Sequence, residues 1–390
     1  PATALGKGSP SCRGTSWSCR QSCARGMRAT HMAGDADSVS QLEEFARWAR
    51  DDMEISAPKV KPAIVSGLRG VVATQPAGAG EGLVSVPSSS ALVTTTDQGC
   101  PFPEWVDESF WAKSKWYVRL ALLLLKEKEK GAVSPLQPWI EGLPRDFGTP
   151  VDWPAAQLAE LGYPHLVVEV EAQRREWDKI LSDLRASSPA CDVGREELEW
   201  AMGVAWSRAF SGPYEGRGPK ERILEVAFVS VLAAGYLAAG MGNLEQVANG
   251  VVAVLISIPL RDFLMTKMTG LKRYALTPMM DLINHSGSVE SDVAYNYFYD
   301  CFDVVTKRGW EPGEQVLISY GARSNDHLLQ RYGFVEEGNP HDVYRLMGLV
   351  DKLGAQLGED RVAVLRKTPW EALDASSDKF SSPLGAAGGG

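Results

Sequence analysis

The densest polar run in an otherwise apolar stretch is Asp281-Leu-Ile-Asn284-His285-Ser286, which follows Met279 and Met280. A carboxylate, an amide and an imidazole so close together can hydrogen-bond a ligand, and burying them is costly unless each is paired. By itself an Asn-His pair is unspecific and reads equally well as a turn satisfied by backbone. Asp281, three residues ahead of Asn284, also has the type and place of a turn-capping residue. Other polar and aromatic runs accompany it: Ile318-Ser319-Tyr320-Gly321 at a strand end, Asn325-Asp326-His327-Leu328-Leu329, and Tyr332-Gly333-Phe334. Upstream lie Gly67-Leu68-Arg69-Gly70-Val71-Val72-Ala73 and Trp206-Ser207-Arg208-Ala209-Phe210. The six cysteines include no CxxC pair, so neither a zinc cluster nor any other metal site is expected.

The elements that must carry these residues are legible in outline. Val39, Leu42, Ala46, Ala49 and Met53 mark one face of an amphipathic helix, with Ser38 and Gln41 placed as a capping box. Strands are expected over Leu68–Thr74 and Leu83–Val86, separated by a Pro-Ala-Gly-Ala-Gly turn. From about 105 to 265 the pattern turns helical, notably at Trp116–Lys126 and Glu169–Leu184. A second β-rich block follows, with Tyr295–Tyr299, Val304–Lys307 and Gln315–Tyr320 separated by Gly/Pro turns. Two β blocks around a long helical stretch imply one small β domain interrupted by an insertion.

In combination, and in this order, the motifs resemble those of the SET-domain methyltransferases. They are most similar to the plant branch that includes the Rubisco large-subunit lysine methyltransferase. The resemblance runs from about residue 40 to 345 and rests on Asp-Leu-Ile-Asn-His-Ser and on the Ser-Tyr-Gly to Tyr-Gly-Phe spacing. It implies an α+β chain: a SET-domain β fold split by a large helical insert, with a truncated C-terminal helical segment. The organisation that follows is 1–34 as a disordered transit peptide and 35–104 as an N-terminal helix with the first half of the SET domain. Residues 105–265 form the insert, 266–337 the second half, and 338–390 an incomplete start of a substrate-binding region.

The resemblance further implies S-adenosyl-L-methionine as cofactor and a protein lysine as acceptor. It assigns cofactor contacts to Leu68, Arg69, Gly70, Arg208, Asn284 and His285, with Arg208 pairing the cofactor carboxylate through a charge-assisted fork. Glu199 is the nearby acid that could hold Arg208 instead. Tyr320 and Tyr332 become the catalytic pair, also touching the cofactor, while Ser207, Asp281 and Tyr295 are placed near the substrate. Methyl transfer from a sulfonium is an in-line displacement governed by positioning. Its acceptor amine, with an ordinary pKa of about 10.4, must first lose a proton. A dry aromatic channel beside a positive sulfonium favours that loss and attracts the cation that precedes it. For each tyrosine, a buried ring with a satisfied hydroxyl is the plain alternative. A histidine acceptor and a non-catalytic SET-like scaffold remain the competing readings.

Composition sets the outer limits. The 390 residues are 44% hydrophobic and 23% charged, as in a globular protein, and the net charge of −9 argues against a nucleic-acid partner. Residues 1–34 hold five basic residues and no acid, leaving −14 for the rest, and are rich in Ser, Arg, Ala and Gly. That is the composition of an organellar transit peptide, so a plastid location is expected. Val226–Leu244 and Gln246–Leu260 are free of charge. They read as two buried helices of the insert, with membrane association as the alternative.

Overall fold

A computed structural model of the chain describes residues 36–213, 219–240, 243–269, 272–296 and 299–345. The expectations for 1–34 and for most of 338–390 lie outside those residues. Its strands are β1 (Val60–Val65), β2 (Leu68–Ala73), β3 (Gly82–Pro87), β4 (Leu92–Thr95), β5 (Phe210–Pro213), β6 (Lys272–Leu276), β7 (Asn284–His285), β8 (Ser291–Asn296), β9 (Cys301–Thr306) and β10 (Gln315–Ile318). They form three small sheets, ordered β1-β2-β10-β7, β3-β9-β8 and β4-β6-β5. The β1–β2 hairpin turns through Ser66 and Gly67, both at positive φ (51° and 78°), the two-residue geometry whose twist matches the strands.

One pairing does most to build the site. β10 runs parallel to β7, with Leu317 opposite Asn284 and Ile318 opposite His285. It runs antiparallel to β2 on its other side. Three segments far apart in sequence therefore share one sheet, and the chain leaving β10 carries Tyr320 directly past His285.

The helices are α1 (Ala36–Asp51), α2 (Glu108–Lys113), α3 (Trp116–Glu129), α4 (Gln137–Glu141), α5 (Ala155–Glu160), α6 (Pro164–Ser187), α7 (Arg195–Arg208), α8 (Pro219–Ala238), α9 (Leu244–Thr269) and α10 (Asn325–Tyr332). The core lies between the sheets and the α3–α7 pair. Leu120, Leu122 and Leu124 of α3, Leu198 and Met202 of α7, and the strand residues Val71, Val86, Val304 and Val316 are all buried there. In α1 the helix already begins at Ala36, so Ser38 lies within it instead of capping it. Leu42, Ala49 and Met53 are buried as their spacing requires, whereas Val39 stays 49% exposed. The strand expected at Tyr295–Tyr299 sits earlier, at Ser291–Asn296, because the chain turns at Asp300 with φ 52°.

The charge-free segments depart further from expectation. They form α8 and α9, and no side chain described between Val226 and Ser257 is buried; Phe228 is 64% exposed, Val231 70% and Ile256 62%. The reason is topological. β5 and β6 pair with Pro213 opposite Lys272, so the excursion leaves and re-enters the body at one place, and its two helices pack on each other. Among the described residues no helix is long and apolar enough to cross a membrane.

Candidate functional site

The site is assembled around Tyr320. Its backbone N–H donates to His285 Nδ1 at 3.0 Å, and its hydroxyl donates to the Ile283 carbonyl at 2.8 Å. Because Nδ1 accepts, the His285 proton sits on Nε2, which faces Glu336 Oε2 at 3.5 Å. The other oxygen, Glu336 Oε1, accepts the Gly287 N–H at 2.7 Å. A Cβ on Gly287 would come within 2.6 Å of that carboxylate, so a larger residue there would push the Glu336 side chain aside. Burial holds His285 below its ordinary pKa against the opposing pull of Glu336. Its ring stacks on Tyr320 at 4.9 Å, and Tyr320 in turn lies 4.8 Å from Tyr332. Burial, chiefly, raises the Tyr320 pKa, which keeps its hydroxyl a donor at neutral pH.

Tyr332 is set by the end of α10. The helix stops at Gly333 (φ 74°), whose N–H bonds the Leu329 carbonyl; a Cβ there would lie 2.2 Å from the Phe147 carbonyl oxygen. The other end is clasped by Asn325. Its N–H and Nδ2 donate to the Asp342 carboxylate at 2.9 and 3.0 Å, and its Oδ1 accepts the Glu336 N–H.

On the sheet side, Asn284 Nδ2 donates to the Arg69 carbonyl at 2.9 Å. Gly70 lies so close to Asn284 and Gln315 that a Cβ would meet their side-chain nitrogens at 3.0 and 2.8 Å. The Arg69 guanidinium turns to the Gly142 carbonyl, and Leu68 is 44% exposed. Arg208, at the end of α7, donates through Nη1 to the Asp281 carbonyl at 2.7 Å and to Asp281 Oδ2 at 3.3 Å. Its partner is thus Asp281, not Glu199, which pairs with Arg195. Trp139 Nε1 also donates to Asp281 Oδ2, at 3.1 Å. Two buried atoms are left over: Arg208 Nε, a donor, and Asp281 Oδ1, an acceptor. Burial raises the pKa of Asp281 while Arg208 opposes the shift.

Arg208, Asp281, Ser207, Tyr320 and Tyr332 all line one cleft, with Phe210, Tyr274 and Trp116. Trp116 and Tyr274 stack at 4.8 Å, only 6° from parallel. The enclosed room is ≈ 50 Å³, about four waters' worth, which suits a slim aliphatic group. Ser207 gives its hydroxyl to the Gly203 carbonyl in its own helix. Tyr295 lies elsewhere, its hydroxyl on Asp300 at 2.5 Å and the Arg273 guanidinium 3.9 Å over its ring. Burial, with Asp300, pushes the Tyr295 pKa up to about 12.

Sequence reasoning did not single out Trp139, Glu336, Trp116, Tyr274 or Arg331. Trp139 and Glu336 carry no local signal. Arg331 had one: it falls three residues after the buried Leu328, on the same helix face. Its Nε donates to the Trp206 carbonyl at 2.6 Å, and its guanidinium carbon lies 5.4 Å from the Trp116 ring and 5.7 Å from that of Tyr332. Burial, assisted by Arg323, pushes its pKa down to about 10.

The neighbouring His327 yields a pH prediction. Burial and the positive charges of Arg323, Arg345 and Arg331 push its pKa down to about 4 from the ordinary 6.5. The unfolded chain binds this proton near pH 6.5 and the folded chain only near 4, so stability is full above 6.5 and drains away as pH falls. The expected loss by pH 4 is roughly 3 kcal/mol. Denaturant melts at pH 7 and 4.5 should show it, and His327→Gln should flatten the slope.

No family model matches the chain. It is 40% identical over 67 residues to human "SET domain-containing protein 4", a match spanning 17% of this chain and 15% of that protein. It is 35% identical over 85 residues to the "Actin-histidine N-methyltransferase" of Danio rerio, 22% of this chain and 13% of the relative. Among solved structures, the SET domain of LSMT bound to lysine and AdoHcy superposes with a TM-score of 0.53 at 20% identity, covering 76% of this chain and 58% of that one. From the arrangement of its sheets to that superposition, the chain has the SET-domain methyltransferase fold.

Proposed function

We propose that the chain transfers a methyl group from S-adenosylmethionine to the side-chain amine of a lysine in a partner protein. The observation that carries this reading is the pair of buried orphan atoms, Arg208 Nε and Asp281 Oδ1, opening on the aromatic cleft that holds Tyr320. An unpaired donor on Arg208 and an unpaired acceptor on Asp281, residues joined through Nη1 and Oδ2 at 3.3 Å and both lining the cleft, complement an α-amino-acid zwitterion, so the residues present fit the methionine end of that cofactor. When bound, the cofactor supplies a methyl group activated by a sulfonium. The structural neighbour, solved with lysine and AdoHcy, supports both ligands.

The chain's own residues would then work by placement. Tyr320, fixed by His285 through its backbone and by Ile283 through its hydroxyl, directs a phenol oxygen and a carbonyl oxygen at the end of the cleft. Such oxygens accept hydrogen bonds from the N–H groups of the neutral amine and so aim its lone pair, while the proton it sheds before attack passes to solvent. Phe210, Tyr274 and Trp116 exclude water, which lowers the pKa of an entering amine toward the neutral, attacking form. Alignment of this kind is worth several orders of magnitude in rate. The acid-free composition of residues 1–34 supports a plastid target.

The Danio relative favours a second acceptor, an imidazole. Calorimetric titration of the full chain with S-adenosylmethionine, then mass spectrometry of proteins labelled in plastid extract, tests the proposal. Saturable heat and N-methyllysine are expected. Absence of heat overturns the reading, and N-methylhistidine replaces the acceptor.

A further inference from the structure

The charges lining the cleft do not balance. Among the described residues, Arg208, Arg323 and Arg331 face it against a single acid, Asp281, which is 1% exposed at its side chain and already held by Arg208 and Trp139. This is a basic recess in a chain of net charge −9. Among the described residues, Arg323 is anchored at Nε alone, which donates to the Tyr320 carbonyl at 2.8 Å. Arg331 is anchored likewise at Nε by Trp206 and lies between the Trp116 and Tyr332 rings. Among the described residues, no carboxylate pairs with either guanidinium. A guanidinium bonded through Nε keeps a planar pair of terminal N–H donors, and a carboxylate matches that fork bidentately.

Resting on the lysine-methylating reading above, we propose that Arg331 and Arg323 form an anion subsite that takes the carboxylate of an acidic residue close to the acceptor lysine. The electrostatics require such a partner. A lysine that enters as a cation meets two uncompensated positive charges in a recess poor in water, where charge interactions are stronger than in bulk. A carboxylate carried in on the same peptide offsets them during entry. Once it is seated, the recess still disfavours the protonated amine, so the same arrangement admits the substrate and promotes its deprotonation. The cofactor offers a carboxylate too; the vacant donor at Arg208 Nε suits that one, which leaves Arg331 and Arg323 for the peptide.

The test uses the full chain and an array of short peptides. Each has one central lysine and carries Glu, Gln or Arg at one flanking position. Arrays are scored for labelled methyl transfer and, with S-adenosylhomocysteine present, for binding by fluorescence anisotropy. Wild type should prefer Glu over Gln at one flanking position by about tenfold or more, the discrimination of a charge-assisted hydrogen bond. Arg331→Gln should abolish that preference and leave cofactor affinity within twofold, while Arg331→Lys, which retains the charge, should keep part of it. No acidic preference in wild type, or one that survives in Arg331→Gln, overturns the subsite. Weakened cofactor binding with peptide selectivity intact assigns the anion to the cofactor and overturns it equally. Selective binding of Glu peptides without methyl transfer upholds the subsite and sinks the lysine-methylation reading instead.

Discussion

Tyr320→Phe is expected to lower methyl transfer by about 10²-fold or more while leaving the affinity for S-adenosylmethionine unchanged. The phenyl ring keeps the stacking on His285 and the neighbourhood of Tyr332, and the backbone N–H still reaches His285 Nδ1. What disappears is the hydroxyl on the Ile283 carbonyl, the one polar group of this side chain that can hold an acceptor nitrogen in line. Displacements of about 1 Å at a reacting centre cost on the order of 10² in rate. The freed carbonyl adds about 1 kcal/mol of destabilisation if it stays dry. Single-turnover transfer to a lysine peptide and calorimetry with the cofactor separate the two quantities. Wild-type turnover in the variant would remove Tyr320 from the mechanism.

The second large effect is on folding. Arg208→Met leaves the Asp281 carboxylate buried with Trp139 as its remaining side-chain donor. Breaking a buried pair from one side typically costs about 3–5 kcal/mol, whereas replacing both partners with apolar groups is often neutral. The double variant Arg208→Met/Asp281→Leu should therefore recover most of the lost denaturation midpoint, although neither protein binds cofactor normally. The pH dependence has a definite sign. Without Arg208, burial faces only the weaker opposition of the Trp139 hydrogen bond and the Arg69 charge, so the folded pKa of Asp281 lies above the unfolded 3.8. The folded state then binds the extra proton, so the variant is least impaired below pH 3.8 and loses stability as pH rises past it. A deficit that is the same at pH 4 and pH 7 would show that Asp281 is not the group left stranded.

Much of this arrangement could be read from residue order, and the reasons are physical. Asn284-His285, Tyr320 and Tyr332 sit in short, dense runs whose polar groups need partners, and the parallel β7–β10 pairing supplies the meeting that their order implied. The two β blocks and the helices at Trp116 and Glu169 follow ordinary periodicities. What stayed hidden depends on contacts across long stretches of chain. Trp139 meets Asp281 across 142 residues, and neither neighbourhood announces the other. Glu336 is one acid among many until Gly287 lets it approach. Tyr295 stands in the right strand, but the early turn at Asp300 draws its hydroxyl away from the cleft. The apolar pair α8–α9 misled because hydropathy records the preference of a segment, not whether the fold offers it cover.

The register of β5 against β6 has a wider consequence. With Pro213 already opposite Lys272, the strands that contribute Phe210 and Tyr274 to the cleft need a reversal of direction between them, not the particular sequence 214–271. Were that stretch a flexible tether, shortening it to a four-residue turn would lower the entropic cost of bringing the strand ends together by roughly 2 kcal/mol. The arm is thus modular in the architectural sense, hung from a joint that the β5–β6 pairing closes by itself.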